Sequence, residues 1–286
     1  MVHADRRSCW GATTLLSRAA EFPENPAPMS ASSRSTGAPP TTGRLFRPAA
    51  ERFHSRLDWL DSWHTFSFAS HVDAAWMGFG PLRVINDDTI AAGRGFGMHP
   101  HRDMEIITVM VEGQLHHHDS MGHSAVLRAG EVQRMSAGSG IVHSEINEGD
   151  QACRLLQIWI EPDAFGLPPD YEQKPFPAPE GWTALIDPDV SGGAMAIHRS
   201  ARLWRGRAAA GQTLTPPAPA DRLAWIQMVS GDLQLRFAAG EASREGEAMA
   251  LTGGDGLGLT RAPGSPAIEA LTAGPRGADL LWFALS

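Results

Sequence analysis

Gly93-Arg94-Gly95-Phe96-Gly97-Met98-His99-Pro100-His101-Arg102-Asp103-Met104-Glu105 and Ser136-Ala137-Gly138-Ser139-Gly140-Ile141-Val142-His143-Ser144-Glu145-Ile146-Asn147 are the two runs on which the fold turns. In the first, imidazoles stand at i and i+2, a spacing that puts both rings on one face of an extended strand. In the second, His143 and Glu145 share a face by the same rule. Two such strands side by side would converge three neutral histidines and one carboxylate on one point. That donor set suits a borderline divalent transition metal such as iron, nickel or copper, with positions left for water or substrate. It is neither the thiolate set of structural zinc nor the all-oxygen set of calcium. Glu105 also falls on the face of His99 and His101, so spacing leaves two carboxylate candidates. Pro100 stiffens its strand and removes an N–H donor, which points to an edge or a barrel mouth.

Outward from these runs, apolar residues alternate or come in short blocks. Leu82–Asn86, Glu105–Glu112, Ala125–Arg128 and Arg154–Glu161 read as strands, and Glu112-Gly113, Ala129-Gly130 and Glu148-Gly149 as turns. The pattern is that of an all-β sandwich or barrel with few short helices. The proline-rich stretch from Pro162 to Pro179 reads as a linker between two halves. Met110-Val111-Glu112-Gly113-Gln114-Leu115 has a counterpart in Met228-Val229-Ser230-Gly231-Asp232-Leu233, and Ala129-Gly130-Glu131-Val132 in Gly253-Gly254-Asp255-Gly256. A repeat this long indicates a duplicated domain. Aligned on it, Pro217 and Pro219 replace His99 and His101, and Ala267 replaces His143, while Glu269 falls opposite Glu145. His198 is the last histidine, so the second half is expected to keep the fold without the metal.

The glycine, histidine and glutamate spacings resemble the two motifs of the cupin superfamily. Together with Asp61-Ser62-Trp63-His64-Thr65-Phe66-Ser67-Phe68-Ala69, Leu82-Arg83-Val84-Ile85-Asn86-Asp87-Asp88 and Asp119-Ser120-Met121-Gly122, the chain from about residue 50 resembles the pirin family, in particular its bacterial quercetin 2,3-dioxygenase-like members. The resemblance implies a bicupin: two tandem jelly-roll domains, 46–165 and 181–286, joined by a linker at 166–180. It implies one divalent transition metal per chain, iron first, with copper, nickel, cobalt, manganese and zinc as alternatives. In most cupins the first-motif glutamate, here Glu105, completes the site; the pirin pattern selects Glu145 and leaves Glu105 a supporting carboxylate. The metal ligands expected are therefore His99, His101, His143 and Glu145.

The implied activity is oxidative cleavage of quercetin or a related flavonol. The 3-hydroxyl would bind at the metal and lose its proton to Glu145. Dioxygen would attack the activated ring, releasing carbon monoxide and a depside. A carboxylate that is both ligand and base needs room to swing, so a loose Glu145 is expected. The competing reading is a non-enzymatic, iron-based redox sensor acting through protein partners. His116, His117, His118 and His123 read as a solvated strand end, because neighbours on a strand alternate faces. His64 and Trp63 read as packing, and Met98, Met104, Met110 and Met135 offer an apolar lining.

Composition narrows the partners. The chain has 286 residues and a net charge of −8, and Lys174 is its sole lysine, so no basic run offers a nucleic-acid or membrane surface. Abundant arginine, alanine, proline and glycine fit a GC-rich bacterial genome. Cys9 and Cys153 form no CxxC or disulfide framework, so a reducing, cytoplasmic setting is expected, and no apolar run is long enough to span a bilayer. Residues 1–45 read as a disordered extension, or as the product of a start placed too early, with Met29 or a later residue the true beginning.

Overall fold

The computed structural model describes residues 43–177, 179–217, 223–238, 247–260 and 267–285. The expectation for residues 1–42, and the placement of Pro219, lie outside them. The first half holds β1 (Gly43–Arg47), β2 (Phe53–Arg56), β3 (Leu60–His64), β4 (Leu82–Ile90), β5 (Arg94–His101) and β6 (Glu105–Glu112). It continues through β7 (Gln114–Asp119), β8 (Ser124–Arg128), β9 (Glu131–Ser136), β10 (Ile141–Asn147), β11 (Cys153–Ile160) and β12 (Asp170–Pro175). The second half holds β13 (Gly181–Ile186), β14 (Ala201–Ala208), β15 (Thr213–Leu214), β16 (Leu223–Phe237), β17 (Ala248–Thr252), β18 (Gly256–Thr260) and β19 (Ile268–Leu285). Helix among the described residues amounts to three 3-10 turns of three residues each; none is long and apolar enough to cross a membrane.

The strands form two sandwiches, the bicupin arrangement expected. In the first, a seven-stranded sheet in the order β12-β9-β6-β11-β4-β3-β2 faces a four-stranded sheet in the order β5-β10-β7-β8. β5, with Pro100, is the edge of the smaller sheet, where a missing donor is tolerated. The stretch expected as a linker carries β12, which pairs with β9 from Asp170↔Ser136 to Pro175↔Glu131. Pro175, at the end of β12, is again at a sheet edge.

The second sandwich is one eight-stranded sheet folded on itself. It bends through β16 and β19, whose pairing shifts register beside Gly231. Gly231 has φ +82°, and a Cβ there would lie 2.2 Å from the carbonyl oxygen of Gly277, so only glycine fits. Gly113, its counterpart in the repeat, ends β6 with φ +73°. One repeat thus gives two strands in the first half and a single bent strand in the second.

The halves are joined in two ways. Residues 43–45, counted above with the extension, belong to β1, which pairs with β18 of the second sheet from Gly43↔Thr260 to Arg47↔Gly256. The next turn is tied to the same region by Ala49 N–H donating to Asp255 Oδ1 at 2.7 Å. A single apolar cluster also spans both halves, combining Phe66, Phe79, Leu82 and Ile158 with Leu203, Trp225, Leu281 and Phe283. The fully buried Trp225 ring lies 4.9 Å from Phe66 and 5.4 Å from Phe79.

Candidate metal centre

β5 and β10 pair antiparallel with His143 opposite His99 and Ile141 opposite His101. The pleat then sends all three imidazoles to one face. One ring nitrogen from each of His99, His101 and His143 lies within 4.8 Å of the others. Just beyond, the register shifts between His143 and Glu145, leaving an extra residue on β5. The strands close up here: a Cβ on Gly95 would stand 2.2 Å from the Glu145 carbonyl oxygen. Glycine at 95 is a condition of the two strands meeting at all.

The three imidazoles are neutral at neutral pH. Burial pushes His101 down to about 3 and His99 below its ordinary range. Burial, with the neighbouring imidazoles, sets His143 well below. The neutral ring is the form that ligates. His99 Nδ1 lies 2.8 Å from the Gly97 carbonyl oxygen; donating there, it leaves Nε2 bare. His143 Nε2 is buried without a hydrogen-bond partner. A buried nitrogen with nothing to bond is costly in a finished core, and here it is a lone pair at a cluster of like donors. The residues fit a transition metal.

Glu145 belongs to a second, overlapping group. It groups with His143 and His117, again within 4.8 Å, rather than with all three histidines. Nor is it loose. Its Oε2 accepts from Gln157 Nε2 at 2.8 Å and its Oε1 from Gln133 Nε2 at 3.1 Å. Thr108 Oγ1 stands 3.4 Å from Oε1, but its hydrogen is better directed to Gln157 Oε1 at 2.7 Å. Burial raises the Glu145 carboxyl to about 7 against the opposing pull of these donors. Glu105 lies elsewhere, on β6 in the facing sheet, accepting from Ser136 Oγ at 2.6 Å, and burial raises its carboxyl too.

The donors to Glu145 come from one row of the facing sheet. Gln173, Gln133, Thr108, Gln157, Asn86 and His64 are successive register partners across β12, β9, β6, β11, β4 and β3. Partners on adjacent strands point the same way. His64 ends the row, its Nδ1 2.8 Å from Asn86 Oδ1 and its Nε2 2.8 Å from Ser55 Oγ. It is a packed residue, as read from the sequence, and Trp63 stacks on His54 with ring centroids 3.9 Å apart.

His117 corrects the reading of the histidine run. It is buried, not solvated, on the face of Leu115, because β7 is hydrogen-bonded to β10 and pairs His117 with Glu145. Its Nδ1 is 3.4 Å from His143 Nδ1 and its Nε2 is 3.0 Å from Asp119 Oδ2. His118 is exposed, as alternation requires. Among the methionines, Met98 is exposed and Met110 belongs to a separate core, whereas Met104 and Met135 pack with Met121, Trp159 and Tyr171. That apolar group adjoins the centre, with Trp159 5.0 Å from His101 and Tyr171 4.6 Å from His117.

Gln133, Gln157, His117 and Asp119 were not singled out as site residues from the sequence. The one signal was for Gln157, a lone amide inside the apolar run Leu155-Leu156-Gln157-Ile158.

Nitrogen donors gathered between the sheets of the first of two jelly-roll halves define the class, a bicupin with a metal-binding cluster. The family profile Pirin matches residues 46–160, and the profile for the Quercetinase C-terminal cupin domain matches residues 185–283. The chain belongs to the pirin family. It is 47% identical over 190 residues to a protein of Escherichia coli K12 named quercetin 2,3-dioxygenase, covering 66% of this chain and 82% of that one. It is 41% identical over 181 residues to a pirin-like protein of Caulobacter vibrioides, covering 62% of this chain and 78% of that one. The crystal structure of the bacterial pirin YhhW from Escherichia coli in complex with nickel(II) superimposes with TM-score 0.74 at 38% identity, over 85% of this chain and 99% of that one.

Proposed function

We propose that this protein is a metal-dependent dioxygenase that cleaves quercetin or a related flavonol with O2. The observation that carries the reading is the cluster of three neutral imidazoles, two of them buried, with the bare His143 Nε2 among them, beside the buried Glu145 carboxyl. The name of the Escherichia coli relative supports the reaction class. His99, His101 and His143 would hold the metal with Glu145 as fourth ligand. Iron is the metal proposed, and the nickel complex of YhhW supports a divalent ion of this series. When bound, the metal supplies Lewis acidity and a template that brings two reactants together.

The chain's own groups do the rest. The Glu145 carboxylate would accept the proton of a flavonol hydroxyl. Gln133 and Gln157 hold that carboxylate in place from the facing sheet, so its acceptor oxygens are oriented before substrate arrives. Trp159, Met104, Met135 and Tyr171 form an apolar wall suited to an aromatic ring.

The test is oxygen-dependent loss of quercetin per mole of bound metal, with His101→Ala as control. Turnover that scales with metal content and disappears in the variant is the expected result. Full metal binding by wild type with no turnover above the variant would reject the dioxygenase. Comparison of proteins captured by the two iron redox states would then examine the regulator reading.

A further inference from the structure

We infer that Asp119 and His117 are positioning residues that fix the tautomer of His143, so that its Nε2 always presents a lone pair to the metal. Asp119 sits at the end of β7 with no exposed side-chain surface and accepts four hydrogen bonds. Its Oδ1 takes the backbone N–H groups of Met121 and His123 at 2.9 and 3.0 Å. Its Oδ2 faces His117 Nε2 at 3.0 Å and His123 Nδ1 at 2.9 Å. The two backbone donors anchor the carboxylate in a turn, so it serves as a fixed acceptor.

A carboxylate has no hydrogen to offer, so the nitrogen facing it must carry one. His117 therefore holds its hydrogen on Nε2, and its Nδ1 is a bare acceptor. That acceptor faces His143 Nδ1 at 3.4 Å. Two bare nitrogens would repel, so the hydrogen of the neutral His143 ring belongs on Nδ1. Its Nε2, buried and without a hydrogen-bond partner, is then the free donor atom. Orientation is fixed as well: the His117 ring is stacked on Tyr171, with centroids 4.6 Å apart and planes 28° from parallel. Ligating histidines commonly gain their orientation from a carboxylate on the other nitrogen; here a second imidazole is interposed. His99 achieves the same end through Gly97 O.

The experiment uses apo protein loaded with nickel(II) alone. Two-bond proton–nitrogen NMR spectra of the apo wild type should show His143 protonated on Nδ1 and His117 on Nε2. His117→Phe keeps the ring that stacks on Tyr171 but removes the acceptor. It should show a mixture of His143 tautomers and bind nickel about 10- to 100-fold more weakly in chelator competition. His117→Gln, which can present an oxygen, should recover most of that loss. His143 protonated on Nε2 in the wild type would overturn the inference, whether or not the variants fold. So would a folded His117→Phe that binds nickel as tightly as wild type.

Discussion

His64 closes the polar row that begins beside Glu145, and its burial makes it a reporter of acid sensitivity well away from the metal ligands. Burial lowers it to about 4, from an ordinary 6.5. As pH falls below 6.5 the unfolded chain takes up the proton first, and the folded chain follows only near 4. Stability is therefore lost on acidification through that window. Between pH 7 and 5 this residue should account for about 2 kcal/mol of lost unfolding free energy. Urea titrations at the two pH values should show a smaller loss in His64→Gln than in wild type. Asp88, whose buried carboxyl rises to about 7 and accepts from Ser62, acts in the opposite sense in both proteins. An equal pH dependence for the two would contradict a buried neutral ring at 64.

At the scale of the strand pair, the meeting of β5 with β10 is what brings the histidines together, and Gly95 is its tightest point. Gly95→Ala drives a Cβ against the Glu145 carbonyl oxygen. Displacing backbone in a packed pair should cost about 1–3 kcal/mol in urea unfolding, and nickel binding should weaken with it. Wild-type stability and affinity in that variant would show that the strands tolerate a wider gap. The strand pair also explains what could be read in advance. His99 with His101, and His143 with Glu145, are local pairs, and a period of two aligns them whatever the rest of the chain does. The turns at Gly113, Gly130 and Gly149 were legible for the same reason. Gln133, Thr108 and Gln157 were not, because their convergence on Glu145 depends on the register of three strands in one sheet and on how it faces another. His117 was misread because alternation says that one of two faces is buried, not which neighbour is waiting there. Glu145 was expected to be mobile from its chemistry alone; the Gln133 and Gln157 amides across the sandwich are what hold it.

The molecule as a whole coheres through one shared core. Trp225 belongs to the second half but packs on Phe66 and Phe79 of the first. Trp225→Ala should cost about 3–5 kcal/mol. Both halves should be affected together, giving one earlier urea transition by tryptophan fluorescence and by loss of nickel binding. Separation of the two signals would mean that the halves unfold independently. The repeat between the halves was visible in the sequence, whereas β12, inside the stretch expected as a linker, was not. The exchange of β1 was not, since Gly43–Arg47 carries no mark that its partner is Gly256–Thr260 rather than a nearby strand.

That exchange sets a clock on biosynthesis. β1 leaves the ribosome ahead of every other described strand, yet the edge it completes is synthesised more than 200 residues later. At about 5–20 residues per second, the wait is roughly 10–40 s. During that interval β1 is an unpaired strand tethered to a half that can already be folding, and the second sheet, once made, briefly offers β18 to any strand within reach. Two nascent chains on one messenger could trade β1 in that window, and the protein's yield would then depend on how closely its ribosomes follow one another.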